Sequence, residues 1–270
     1  MEAIAELARA SAVCFYKGRW HMLAEQRQTQ ILQLLESRGS ITLTELVSLL
    51  HASESTIRRD LQELDRQNLL VRVFGGAMSV NSKAGLQEEN VSERQTVNIK
   101  EKQRIGRYAA ALIQPNDFVY IDAGTTTGAM IPFITEQSAV YVTNAVAHGL
   151  ELVRRGFRVN LIGGEIRPST EAVVGNAACE ALHSFNFTKC FMGTNGANPN
   201  GGLTTPDVNE AAIKRRALTQ SRDRYVLCTS EKFRIISPVC FFSFSDATII
   251  TDHCPSSWYE QQPNIIVVEE

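Results

Sequence analysis

The chain has no CxxC pair, no apolar run of about 18 residues and no basic leader followed by an apolar block. The first absence speaks against a cysteine-pair zinc module, and the second against a membrane-spanning helix. Six cysteines (Cys14, Cys179, Cys190, Cys228, Cys240 and Cys254) lie mostly inside apolar stretches such as TKCFMG and YVLCTS, so they read as buried thiols and not as a disulfide framework. The expected compartment is the cytoplasm, with no membrane, metal or cofactor implied. What is present is ordinary for one large or two medium globular domains: 270 residues, 44% hydrophobic and 21% charged.

Residues 1–21 fit poorly with the rest of the chain. MEAIAELARASAVCFYKGRWH begins alanine-rich and weakly helical and ends aromatic and basic. One reading is a short extra helix. The other is that translation starts at Met22, with Lys17-Gly18-Arg19 encoded by a purine-rich ribosome-binding sequence ahead of it.

From Leu23 to Val80 the periodicity places three helices. Ile31, Leu34 and Leu35 form one stripe of a helix from about Glu25 to Ser37, stopped by Gly39. Thr42 and Glu45 have capping-box spacing, so a second helix starts near Leu43 and carries Leu46, Val47 and Leu50. His51 and Ala52 make a short turn. Ser53 can then cap a third helix with Ile57, Leu61 and Leu64 inward, leaving Ser55, Thr56, Arg58 and Arg59 on its outward N-terminal half. The run LLVRVFGGA reads as a short strand exposing Arg72, with the glycines closing a wing.

Hydroxyls and guanidinium forks at the start of the third helix suit phosphates and base edges, which with Arg72 on the strand makes Ser53, Ser55, Thr56, Arg58, Arg59 and Arg72 the expected contacts to double-stranded operator DNA. A solvated helix face is the alternative. Residues 22–80 hold six Lys and Arg against seven Asp and Glu, so this domain is no basic polyelectrolyte. Its affinity must come from placement, with arginines toward the duplex and acids turned away.

Beyond a polar linker at 81–96, residues 97–270 alternate apolar strands with helical segments. Strands are expected at 118–121, 139–142, 158–162, 189–192, 224–229, 247–251 and 265–268, and helices near 99–112, 145–155, 176–185 and 207–221. That alternation predicts an α/β fold with an open, mostly parallel sheet covered on both faces. Small-residue motifs fall at the carboxyl ends of strands, where ligands collect: Gly124–Thr127, Thr143–Asn144, Gly163–Gly164 and Gly193–Gly196. Asp122, Gly124, Thr125, Thr126 and Thr127 join a strand to a helix start, a place for a dianion; a plain Gly/Thr turn is the alternative. Thr205 can cap a helix opening at Pro206, on which Asp207, Glu210 and Lys214 share a side. Glu210 and Lys214 would otherwise be an ordinary i, i+4 ion pair. Arg167 and Lys232, each just past a strand, are further cations, and Lys214 is preferred over both as a ligand contact.

STIRRDL and the terminal GGA, followed in order by DAGTTT, VTNA, GGEIR, GTNGAN, GGLTTPDVNEAAIKRRAL, SEKF and IITD, resemble the DeoR-type helix-turn-helix repressors over some 230 residues. NIKEKQRIGRYAA with YIDAGTTT is most similar to repressors of fructose and related sugar-phosphotransfer operons. The resemblance implies a winged helix-turn-helix domain followed by a sensor domain that resembles sugar-phosphate isomerases and CoA transferases. It also implies a homo-oligomer released from its operator by a phosphorylated sugar, with fructose 1-phosphate the favoured candidate. The phosphate would sit at Thr125–Thr127, Glu210 and Lys214 would hold the sugar end, and Asn144 and Asn195 would meet its hydroxyls. A sugar-phosphate isomerase with a DNA-binding domain is the rival, weakened because Asn195 and Asn198 stand where the isomerases look acidic. A transcriptional activator with the same parts is a further alternative.

Overall fold

The computed structural model describes residues 13–16, 19–38, 40–67, 69–73, 76–79 and 90–269. Gly39, Gly75 of the wing, Val80, residues 1–12 and 81–89 lie outside the described residues. The chain divides into two compact units, Met1–Lys83 and Ala84–Glu270.

In the first unit, β1 (Val13–Tyr16) and β2 (Arg19–Met22) pair antiparallel, with Val13 opposite Met22. This part of the extension is therefore a hairpin and not a short helix, in keeping with the aromatic and β-branched content of VCFY and RWHM. Then come α1 (Ala24–Arg38), β3 (Ser40–Thr42), α2 (Leu43–Leu50), α3 (Glu54–Arg66), β4 (Leu70–Val73) and β5 (Gly76–Ser79). Each helix buries the stripe its spacing sets: Ile31 and Leu35, Leu43, Leu46 and Leu50, and Ile57, Leu61 and Leu64 form one core with Leu70 and Ala77. The capping box is present, since Glu45 N donates to Thr42 Oγ1 at 3.2 Å and Thr42 N to Glu45 Oε2 at 2.9 Å. His51, left-handed at φ 49°, turns the chain out of α2, and Ser53 Oγ accepts from Thr56 N at 3.2 Å to start α3. What reads as one strand is two, β4 and β5, in a sheet ordered β3-β5-β4.

The second unit opens with α4 (Val91–Gln95), inside the expected linker, and α5 (Ile99–Ala111). Seven strands follow in one parallel sheet: β6 (Phe118–Ile121), β7 (Val140–Thr143), β8 (Arg158–Leu161), β11 (Phe187–Gly193), β14 (Ser221–Leu227), β16 (Thr248–Thr251) and β17 (Ile265–Val267). Side chains alternate across it, so Val119, Ile121, Phe191 and Leu227 enter one core with Ile105 and Ala109 of α5 and Leu152 of α7 (Val146–Arg154). Tyr120, Cys190, Met192 and Val226 enter the other, against Ala178 and Leu182 of α8 (Asn176–His183) and Ile213 and Ala217 of α9 (Val208–Thr219). Three short antiparallel strands form their own sheet: β12 (Gly196–Asn198) and β13 (Gly202–Thr205), whose small residues carry little signal in the sequence, and β15 (Val239–Phe242). A second small hairpin pairs β9 (Glu165–Ile166) with β10 (Val173–Val174).

The order β17-β16-β14-β11-β6-β7-β8 decides where a site can form. The chain winds outward from β6 through β7 to β8, then returns to the other side of β6 at β11 and winds the opposite way. The carboxyl ends of β6 and β11 therefore flank a topological switch point, the crevice where doubly wound sheets bind ligands.

Candidate functional site

On α3, Ser53, Ser55, Arg58 and Arg59 are exposed and Thr56 is half-buried; Arg72 on β4 is exposed as well. Their partners separate them. Ser53 Oγ lies 2.9 Å from Ser55 Oγ and 2.8 Å from Thr56 Oγ1, so the three hydroxyls already form a cluster at the helix start. Arg58 holds Glu54 through two nitrogens at 2.9 and 2.7 Å, an exposed pair worth about 0.3–0.5 kcal/mol. Neither Arg59 nor Arg72 makes an ion pair among the described residues, so both cations are available to a duplex. Asp60 is an acid of this domain that turns inward. It is buried and gripped by Arg27 of α1 at 2.5 and 3.1 Å, which bolts α1 to α3.

At the switch point of the second unit, the loops after β6 and β11 border a small polar cavity lined by Arg94, Ala123, Gly124, Thr125, Thr126, Thr170, Gly193, Thr194, Asn195, Glu210, Lys214 and Lys232. The helix after β6, α6 (Thr125–Gly128), is a single turn. Its macrodipole is correspondingly small, and its contribution is the first-turn N–H groups, which have no intrahelical partner. Thr125 and Thr126 line the cavity. Thr127 does not: its hydroxyl donates to the carbonyls of Asp122 and Gly124 at 2.7 and 2.9 Å, fixing the loop.

Behind the loop, Lys214 of α9 is buried and bonds the Asp122 carboxylate through Oδ2, which also accepts from Gly193 N at 3.1 Å. The other oxygen, Oδ1, is buried with no hydrogen-bond partner. Burial pushes the Asp122 carboxyl above its usual range even though Lys214 pulls it down. Lys232, in the 3-10 turn Ser230–Arg234, donates to Thr194 O at 3.0 Å and makes no ion pair among the described residues. Burial lowers its pKa below the ordinary lysine value, and the like charges of Arg94 and Lys214 lower it further.

Glu210 enters from the opposite side. Thr170 Oγ1 donates to it at 2.5 Å, Thr205 Oγ1 at 3.4 Å, and Arg167 Nε lies 3.7 Å away. The i, i+4 pair of Glu210 with Lys214 is absent, because α9 points the two side chains to different partners. Arg167 also pairs with Asp207 and does not line the cavity. Asp207, and not Thr205, caps α9: its Oδ1 accepts from Asn209 N and Glu210 N at 2.9 Å each, while Thr205 ends β13.

Residues 97–253 match the family described as the DeoR C terminal sensor domain, and residues 27–83 match the DeoR-like helix-turn-helix domain. The chain belongs to the DeoR family. It is 37% identical over 249 residues to an uncharacterized HTH-type transcriptional regulator, FruR, of Bacillus subtilis (strain 168), covering 92% of this chain and 98% of that one. The lactose phosphotransferase system repressor of Streptococcus mutans is 31% identical over 236 residues (86% of this chain, 93% of the other). That of Staphylococcus aureus (strain N315) is 35% identical over 214 residues (78% and 84%). Among solved structures, ribose 5-phosphate isomerase from Plasmodium falciparum is similar at 13% identity and TM-score 0.38, covering 52% of this chain and 54% of that one. The sorbitol operon regulator SorC from Klebsiella pneumoniae is similar at 13% identity and TM-score 0.36 (79% and 92%). Neither structural likeness is close enough to carry an activity.

For this DeoR-family sensor the structure brings together Gly124, Thr125, Thr126, Asn195, Glu210, Lys214 and Lys232, with Asp122 directly behind them. Other expected contacts hold the scaffold. Asn144 Oδ1 accepts from Ala123 N at 2.8 Å and its Nδ2 donates to Val173 O at 3.2 Å, so its amide is spent on two loops and not turned to a sugar. Thr143 Oγ1 accepts from Ala145 N at 3.1 Å. Gly163 and Gly164 lie away from the cavity; a Cβ on Gly164 would fall 2.6 Å from Val174 O, so its smallness serves packing. Arg94 and Thr170 line the cavity unforeseen, and Thr194 lines it from within the Gly193–Gly196 motif. Arg94 and Thr170 come from a linker and a hairpin tip, where no strand-end motif draws attention to them. The cysteine expectation also needs correction: Cys190 and Cys228 are buried, Cys179 and Cys254 half-buried, and Cys240 exposed. No described helix is long and apolar enough to cross a membrane.

Proposed function

We propose that this chain is a cytoplasmic repressor of a sugar uptake or catabolism operon, and that a phosphorylated sugar in the switch-point cavity releases it from DNA. The observation that carries the reading is the convergence of Arg94, Lys232 and Lys214 on the free N–H groups and hydroxyls of Thr125 and Thr126. Lys214 is balanced by Asp122, and Glu210 faces Arg167; Arg94 and Lys232 are left without a counter-ion among the described residues. A phosphate supplies that charge together with acceptors for the amides, and charge-assisted bonds are about twice as strong as neutral ones. Glu210 and Asn195, across the cavity, offer an acceptor and an amide to sugar hydroxyls.

The names of the phosphotransfer-operon relatives favour a phosphosugar from that uptake route, and the likeness to FruR makes fructose 1-phosphate the first candidate. One winged helix reads one half-site, so the repressor is expected to act as a homo-oligomer on a repeated operator. The test is a thermal-shift screen against sugar phosphates paired with their free sugars, since a ligand bound only by the folded state raises the melting temperature. A shift by a phosphorylated member and not by its free sugar supports the reading; equal shifts, or enzyme-like turnover of a sugar phosphate by the purified protein, overturn it.

A further inference from the structure

We infer that Arg94 is a phosphate-binding residue, and that ligand binding locks it, and with it the segment 90–98, onto the sensor unit. The inference rests on the phosphosugar reading of the cavity. Arg94 sits on α4, outside the loops that build the switch point, yet its side chain lines the cavity beside Thr125, Lys214 and Lys232. Its Nε is buried with no hydrogen-bond partner, a donor held dry with nothing to donate to. A guanidinium presents a planar fork of donors that matches phosphate oxygens two at a time, so a phosphate at Thr125 and Thr126 satisfies Nε where water does not reach it.

The main chain here is held at two points. Lys102 Nζ, itself buried, donates to the Arg94 carbonyl, and Val91 N donates to Ser169 O at 3.1 Å, one residue from the cavity-lining Thr170. The side chain has no such hold. Without ligand the short helix α4 carries an unsatisfied buried donor; with ligand that donor is paired and α4 gains a third anchor. In sequence, this segment is the first described part of the sensor unit after the helix-turn-helix unit ends at Lys83. A ligand that binds more tightly when 90–98 is locked favours that state by its differential affinity, the thermodynamic requirement for a signal.

The experiment uses the full chain, with fructose 1-phosphate and inorganic phosphate as probes. Binding is measured by calorimetry, amide hydrogen exchange is followed at residues 93–98, and release is measured from an operator fragment selected from random duplexes by the wild-type protein. In the wild type the probes slow exchange at 93–98 by about tenfold or more. Arg94→Gln weakens both probes by about 10- to 100-fold, abolishes the slowing, and leaves operator binding without ligand unchanged. Arg94→Lys restores charge without the fork and recovers part of the affinity. Lys232→Gln reports on the cavity itself, since it weakens the probes without altering α4. If Arg94→Gln matches wild type in affinity and protection while Lys232→Gln loses binding, the Arg94 inference is overturned and the cavity reading stands. If neither substitution weakens the probes, both fall.

Discussion

Each unit holds a buried carboxylate against a cation, and the pairs Arg27–Asp60 and Lys214–Asp122 differ in what they leave undone. Arg27 grips both oxygens of Asp60 and ties two helices of the DNA-binding unit together. Lys214 and Gly193 N share a single oxygen of Asp122, and the other oxygen stays buried without a partner beside a cavity rich in cations. A fully paired carboxylate is a fastener. A half-paired one, kept at some cost in stability, marks a place where charge is arranged for something that arrives later.

The largest effect should come from breaking either pair. Lys214→Met leaves Asp122 as an uncompensated buried charge and should destabilise the sensor unit by about 3–5 kcal/mol in denaturant titrations. Arg27→Met should cost the DNA-binding unit a similar or smaller amount, because Arg27 is 11% exposed and water can partly replace it. The comparison sharpens when both partners are replaced by apolar residues: Arg27→Met with Asp60→Leu should recover stability and leave ligand binding intact. Lys214→Met with Asp122→Leu should recover stability and still fail to bind a phosphosugar.

Acid should separate the units next. His148, packed under the β6 loop, is held neutral by burial with its pKa lowered to about 4. Between the unfolded value near 6.5 and that folded value, the unfolded state binds more protons, so stability falls as pH drops through this window by up to about 3 kcal/mol. His148→Gln should flatten the acid limb of the sensor transition while leaving that of the DNA-binding unit in place; identical limbs in both proteins would remove His148 from the account.

Much of this architecture is legible because it repeats. All seven expected sensor strands enter one parallel sheet, and the Thr42 and Ser53 caps stand where their spacing puts them. The cavity is half legible. Motifs at strand ends, such as Gly124–Thr126 and Asn195, carry their own signal, whereas Arg94 and Thr170 reach the cavity only through tertiary folding. Local spacing likewise suggests an ion pair between Glu210 and Lys214, and burial sends the two side chains to Thr170 and Asp122 instead. In the DNA-binding unit nothing in STIRRDL tells Asp60 from a solvent-facing acid except its place between Ile57 and Leu61.

Smaller effects distinguish the two arginines of α3. Arg59→Ala should lower operator affinity by about 1–3 kcal/mol in gel-shift titrations without changing ligand binding. Arg58→Ala should fall at the low end of that range, because Arg58 must first release Glu54. Equal losses would mean that the Glu54 pair is irrelevant on DNA, and no loss at either would dismiss α3 as the reading helix.

The smallest effect, and the finest, is in pH. Phosphosugar affinity should rise as the phosphate takes its second charge near pH ~6. It should then fall at alkaline pH as Lys232 loses its proton, earlier than an ordinary lysine because burial lowers its pKa. Lys232→Arg should push that decline to higher pH, and an unmoved decline would assign it to another group.

The central claim is that phosphate, and not sugar alone, fills the switch-point cavity and releases DNA. Its most direct test is calorimetry of the full chain with sugar phosphates and their free sugars, read alongside release from the selected operator. The account predicts that at least one phosphosugar binds about 100-fold or more tighter than its parent sugar and releases DNA over the same concentration range. A free sugar that binds and releases as well as its phosphate would contradict it.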